Sequence, residues 1–269
     1  MKNVSLAAIL LLMSRPCLAQ DAHWRPLAER FVSGTLRWGG DAEGGAPFQL
    51  RDPQDPSRVI GFEVELVDAL ADELSKLIGT PLKPEFVQYE WVSLTLGLEK
   101  KDFDFNLSGF EITPENAQAV LFSRPYYVYT QQLVVRRDDD SIQSISDLLP
   151  KKVGTLNGSA VEKILSRAGV SQIVGFDGQV EPYKDLELGR LDAVLLDLPI
   201  AVFYGRSNAN LKFVGQPLGR GEYGIALRHE DHRLPLFFGF SGFPVRKYAP
   251  QRKAATKAEK RFDNHKGPS

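Results

Sequence analysis

Between residues 153 and 227 the hydrophobic period of the chain changes repeatedly, and that alternation limits the fold more than any other feature. Val153 to Leu156 reads as a strand. Gly158-Ser159 then opens a helix that turns Val161, Ile164 and Leu165 inward and stops at Gly169. Ile173 to Phe176 is a strand, Pro182 to Leu188 a helix closed by Gly189, and Leu191 to Leu196 a buried strand with Asp197 at its carboxyl end. Pro199 starts a helix with Val202 and Phe203, and strands near Phe213 and from Tyr223 to Leu227 follow. Such switching means parallel sheets with helices on their faces, the α/β class. With 269 residues, 43 % of them hydrophobic, the chain is long enough for two modest domains.

The first half carries the same kinds of element. Thr35 to Gly40 is a strand running into a glycine-rich loop, Asp41 to Phe48. No Gly-Lys-Ser/Thr follows, and the loop holds the acids Asp41 and Glu43, so it is not a phosphate loop. Arg51 to Arg58 is a polar hairpin or loop. Gly61-Phe62 opens the clearest helix, with Phe62, Leu66, Leu70, Leu74 and Leu77 on one face and Gly79-Thr80-Pro81 as its stop. Glu85 to Val87 is a short strand, and Trp91, Leu94 and Leu98 mark another helix.

Phe103 to Tyr127 joins the two halves. Phe103, Phe105 and Leu107 alternate as in a half-buried strand. Ser108-Gly109 ends it, and Gly109 lets the backbone come close to a neighbouring group. Thr113-Pro114-Glu115 is a helix start. A strand end facing a helix start, with free N–H groups between, suits a small polar ligand; the plain alternative is an ordinary strand–turn–helix connection.

The amino terminus reads as a targeting segment. Lys2, an apolar run from Val4 to Met13 and the small-residue site before Gln20 form a secretory signal peptide of residues 1–19. Cys17 is the only cysteine, so cleavage after Ala19 leaves no disulfide or cysteine-metal chemistry. A net charge of −1 gives no reason to invoke nucleic acid or an anionic membrane. His229 and His232 are three apart with no third ligand in view, so no zinc site is expected. Gly239-Phe240-Ser241-Gly242-Phe243 lacks the second glycine of a nucleophile elbow.

Six stretches together resemble one family. They are Gly61-Phe62-Glu63-Val64-Glu65-Leu66, Asp102-Phe103-Asp104, Ile112-Thr113-Pro114-Glu115, Phe122 to Tyr127, Val153 to Ser159 and Gly189 to Asp197. In this order they resemble extracellular solute-binding proteins of the polar amino acid type (family 3), which serve ABC importers. The resemblance implies a two-lobed, periplasmic-binding-protein-like (type II) α/β fold with a ligand cleft between the lobes. Lobe 1 is then residues 35–125 with a return at 223–234, and lobe 2 residues 131–222. Residues 126–130 form the hinge, and residues 20–34 a leader or amphipathic lead-in. It also implies a monomer in the periplasm, a permease as partner, an amino acid or amine-like solute as ligand, and no cofactor.

The family's site maps onto this chain with departures. An acid at the position of Asp197 holds the ligand's ammonium; its alternative role is a helix cap before Leu198-Pro199. Trp91 falls where the family places a stacking aromatic, against the alternative of helix-face packing. An arginine that grips the ligand's carboxylate is replaced by Asn116, and a small hydroxyl residue by Glu111. Asp41, Glu43, Glu111 and Asp197 then make an acidic cleft, unless Glu43 and Glu111 point to solvent. The resemblance therefore implies a cationic solute, or an amino acid whose carboxylate is held by backbone N–H groups at Ser159 or by Arg124. Ser108 and Gly109 complete the expected contacts.

Two alternatives remain at this point: the sensor portion of a larger receptor, and an enzyme resembling cyclohexadienyl dehydratases, with Glu111 or Glu43 as general acid. Past Asp231 the motifs stop. Pro235 to Pro250 mixes glycines and prolines with exposed-looking phenylalanines, and residues 235–269 are expected to form a divergent tail of low order.

Overall fold

The computed structural model describes residues 17–231 without residue 44, together with Leu234, Phe237 and Phe238. The expected signal peptide up to residue 16, His232 and most of the expected tail lie outside the described residues.

The chain opens with helix α1 (Cys17–Arg30), which runs across the Ala19–Gln20 bond where cleavage is expected. Its second half belongs to the core: Leu27 and the following Phe31 are buried. Strand β1 (Thr35–Gly40) leads through the acidic loop to a hairpin, β2 (Leu50–Asp52) and β3 (Asp55–Ile60). Helix α2 (Phe62–Ile78) follows. Its start requires Gly61, whose φ is 133° and where a Cβ would meet the Phe48 carbonyl at 2.3 Å. Gly79 closes it in the left-handed conformation, φ 71°. Strand β4 (Lys83–Gln88), a tight turn at Trp91–Ser93, helix α3 (Leu94–Glu99), strand β5 (Phe105–Asn106), helix α4 (Asn116–Ala119) and strand β6 (Leu121–Phe122) complete this half.

Strand β7 (Tyr127–Arg136) begins the second half. After it come β8 (Lys152–Leu156), α5 (Ala160–Arg167), β9 (Gln172–Phe176), α6 (Glu181–Glu187) and β10 (Ala193–Asp197). A short helix α7 (Leu198–Ile200) and one wider helical turn lead to β11 (Leu211–Tyr223) and β12 (Ala226–Leu227).

Two five-stranded sheets result, in the orders β4-β1-β5-β12-β6 and β11-β7-β10-β8-β9. Each centres one lobe of a two-lobed α/β fold. The sheets are mixed rather than parallel. β12 runs antiparallel to β5 and β6, and β7 antiparallel to β10 and β11. The direction of β7 and β12 follows from the chain's passage between the sheets, which hydrophobic period does not encode.

The segments expected to cross between lobes pair with each other: Tyr129 faces Gly221, Val128 faces Glu222 and Tyr127 faces Tyr223. The aperiodic run from Tyr126 to Thr130 is thus mostly strand, its pattern hidden because three tyrosines serve as packing groups. Tyr223 stacks on Tyr129 with ring centroids 4.2 Å apart and on Tyr127 at 5.9 Å.

Lobe 1 is also tied at its base. Arg30 pairs with Asp104 at 3.0 Å and with Asp231, while Arg228 pairs with Asp231 at 3.0 Å and donates to the Phe103 carbonyl at 2.7 Å. Leu234, Phe237 and Phe238 are helical and buried, and Phe238 meets Phe105 edge-on at 5.4 Å. Phe237 and Phe238 are therefore core residues, a correction to their exposed look in sequence. An apolar helical face on β5 accounts for them.

Candidate functional site

A cleft between the lobes is lined from both sides. Of the nine sequence-derived candidates, Asp41, Glu43, Trp91, Ser108, Gly109, Glu111, Ser159 and Asp197 line it, and Asn116 does not. Asn116 turns back instead: its Nδ2 donates to the Glu111 carbonyl at 2.8 Å, and its own N–H donates to Thr113 Oγ1 at 3.1 Å. It braces the turn that carries Glu111. Arg124 is exposed and is not among the lining residues.

Strand ends build the lobe 1 wall. Asp41 spends its carboxylate on its own loop, accepting from Gln88 Nε2 at 3.0 Å and from the Glu43 and Trp91 N–H groups at 3.0 and 3.1 Å. Trp91 takes the packing role and also stands at the cleft. It is buried against Phe110, donates Nε1–H to the Ser108 carbonyl at 3.0 Å, and still lines the cleft. Glu43 sits at the rim, its side chain 67 % exposed and paired with Arg51 at 3.3 Å.

Ser108 Oγ accepts from the Asp41 N–H at 3.1 Å and from Gln49 Nε2 at 2.6 Å. Ser108→Ala removes the acceptor of the Asp41 N–H, while Gln49 Nε2 keeps Glu63 Oε2 at 3.0 Å and the Leu107 carbonyl at 3.3 Å. The substitution is expected to cost about 2 kcal/mol in urea unfolding; a loss under 0.5 kcal/mol would mean the hydroxyl is dispensable. Gly109 adopts φ 56°, which aims its N–H at Glu63 Oε1, 2.7 Å away.

Glu63 is the residue the sequence reading missed. It stands on α2 three residues before Leu66 and is completely buried. It also accepts from Tyr126 Oη–H and from Gln49 Nε2 at 3.0 Å. Burial pushes its pKa up to about 7, against the lowering effect of its Tyr126 and Gly109 hydrogen bonds. Its spacing with Leu66, Leu70 and Leu74 was the available signal, since it falls on their stripe.

Glu111 and Asp197 face the cleft's centre. Glu111 is 3 % exposed; Oε1 accepts from Tyr129 Oη–H at 2.9 Å, and Oε2 accepts from the Ala160 N–H of lobe 2 at 2.8 Å. Asp197 ends β10 and stands at the start of α7, but its side chain makes no cap hydrogen bond there. Its carboxylate accepts instead from Tyr223 Oη–H and from Gln131 Nε2 at 3.3 Å. The helix-cap alternative is thereby removed. The stacked Tyr129 and Tyr223 thus each hold one acid.

Burial raises the pKa of Glu111. Burial first, and then repulsion from Glu111, push Asp197 up to about 8. Ser159 uses its hydroxyl locally, donating to the Leu156 carbonyl at 2.7 Å and accepting from the Glu162 N–H at 3.4 Å. Gln49, Asp177, Gln179 and Tyr223 also line the cleft and were not foreseen there.

Comparison with known proteins agrees with this geometry. The family model for bacterial extracellular solute-binding proteins, family 3, matches residues 36–263. The match passes Asp231, so the terminal segment is not foreign to the family, a correction to the motif-based limit. L-cystine-binding protein TcyJ of Escherichia coli (strain K12) is 31 % identical over 86 % of this chain and 84 % of that protein. The L-arginine-binding protein of Pseudomonas aeruginosa is 30 % identical over 70 % of this chain and 74 % of its own. Among solved structures, the ancestral amino acid-binding protein AncCDT-1, a precursor of cyclohexadienyl dehydratase, aligns with a TM-score of 0.70. It is 29 % identical and covers 88 % of this chain and 98 % of its own.

Proposed function

The chain belongs to the bacterial extracellular solute-binding proteins, family 3, and on that premise we propose that it captures an amino acid or amine-bearing solute for the permease of an ABC importer. It is a binding protein and not an enzyme, as are the relatives it matches by name. The observation that carries the ligand class is the pair Glu111 and Asp197, a buried and a half-buried acid facing one cleft from lobe 1 and lobe 2.

Buried like charges are costly unless a cation or protons sit between them. An ammonium or guanidinium between them offsets their repulsion and so favours the closed arrangement of the lobes over the open one. The Trp91 face adds an aromatic surface for the same cation. The crossing strands β7 and β11 are the hinge about which this closure occurs. Relatives named for L-cystine and L-arginine binding support a solute with an amine. We place the protein in the periplasm as a monomer, released there by cleavage after Ala19. No helix among the described residues is long and apolar enough to cross a membrane.

A thermal-shift screen of amino acids, polyamines and guanidino compounds tests this. At a hundredfold excess over Kd a ligand stabilises by about 2.7 kcal/mol, which for a chain of this size is roughly a 5–10 °C rise in Tm. A panel in which no amine-bearing compound moves Tm contradicts the proposal.

A further inference from the structure

We infer that the solute is a cation without a carboxylate, because Glu111 supplies from the protein itself the carboxylate that an amino acid would bring. This deepens the proposed function and rests on the cleft being the solute site.

The geometry starts at α5. The first N–H groups of a helix have no intrahelical acceptor and favour an anion. Here the first residue of α5, Ala160, donates its N–H across the cleft to Glu111 Oε2 at 2.8 Å. Tyr129 Oη–H binds the other carboxylate oxygen, and Asn116 Nδ2 fixes the Glu111 backbone carbonyl. The place in lobe 2 best suited to an entering carboxylate is therefore filled by a buried, doubly bonded side chain from lobe 1.

The rest of the lining agrees. It contains the acids Asp41, Glu43, Glu63, Glu111, Asp177 and Asp197, and among the described residues no lysine, arginine or histidine. Lys163, the cation acting on Glu111, is paired with Glu115 at 3.4 Å. Gln49 is 1 % exposed and lines the cleft, and its Oε1 has no hydrogen-bond partner. That oxygen packs against Gly40, and the amide nitrogen is held by Ser108 and Glu63. A carboxylate entering the cleft meets like charge and no cationic side chain in the lining, whereas an ammonium or guanidinium meets Asp197.

Calorimetric titration of the wild-type protein with matched pairs tests the inference: arginine against agmatine, and lysine against cadaverine. The members of each pair differ only by the α-carboxylate. The decarboxylated member is expected to bind at least about tenfold tighter. Glu111→Ser frees the Ala160 N–H and is expected to shrink or reverse that preference, with a cooperative melt confirming that the variant folds. Tighter binding of arginine or lysine by the wild type overturns the inference and leaves the solute-site proposal standing. Failure of the amino acids and the amines alike to bind overturns both. An unchanged preference in folded Glu111→Ser overturns the assignment of the selectivity to Glu111.

Discussion

Asp197→Asn is expected to weaken binding of a cationic solute by about a hundredfold or more, because it removes the half-buried counter-charge while keeping the side chain's shape. The amide oxygen still accepts the Tyr223 Oη–H, so the stacked tyrosines should stay in place. The same substitution alters how stability depends on pH. In the folded wild type Asp197 keeps its proton up to about pH 8, whereas the unfolded chain loses it near the ordinary aspartate value of 3.8. Between those limits the folded state binds more protons, so wild-type stability falls as pH rises. The fall is on the order of a few kcal/mol across that window. Asparagine carries no proton to lose, so the variant should melt higher than the wild type at pH 8 and lose that advantage near pH 4. Parallel melting curves from pH 4 to pH 9 decide the matter; profiles of the same slope would mean that Asp197 is not held protonated.

Glu63→Ala is expected to cost about 2–4 kcal/mol, since Tyr126 Oη–H loses its buried acceptor, while the Gly109 N–H is left with Tyr126 Oη and Gln49 Nε2 with Ser108 Oγ and the Leu107 carbonyl. Together the Glu63 bonds tie the turn at Gly109, Gln49 before β2 and Tyr126 before the crossing strand β7 to α2. The loss converts to a Tm drop of roughly 10 °C. Glu63→Gln keeps one acceptor oxygen and should cost about half as much. A Glu63→Ala protein within 0.5 kcal/mol of wild type would show that water replaces the carboxylate without penalty.

What the sequence disclosed was local. β1 was legible to the residue, as were the stop of α2 at Gly79 and the strand leading to Asp197, because hydrophobic period and glycine placement act over a few residues. The eight cleft residues were legible through motif order, which places strand ends at a common edge. Asn116 was misplaced because nothing local reveals that its amide reaches back to the Glu111 carbonyl. Glu63 was hidden by its charge: an acid on an apolar stripe reads as a solvated neighbour until Gly109 and Tyr126, far along the chain, are seen to bind it. The Tyr129–Tyr223 stack joins residues from opposite ends of lobe 2, a pairing that no local pattern encodes. The antiparallel setting of β7 is likewise a property of chain path.

The central claim is that Asp197, whose pKa burial raises, is the counter-charge of the solute and gives up its proton when the solute binds. It is tested most directly by titrating the tightest-binding amine from the thermal screen calorimetrically at pH 7, in two buffers of different ionisation heat. Proton release on binding, approaching one per solute and lost in Asp197→Asn, is the predicted result. Heats that are independent of the buffer would contradict the claim, since the cation would then have displaced no proton from Asp197.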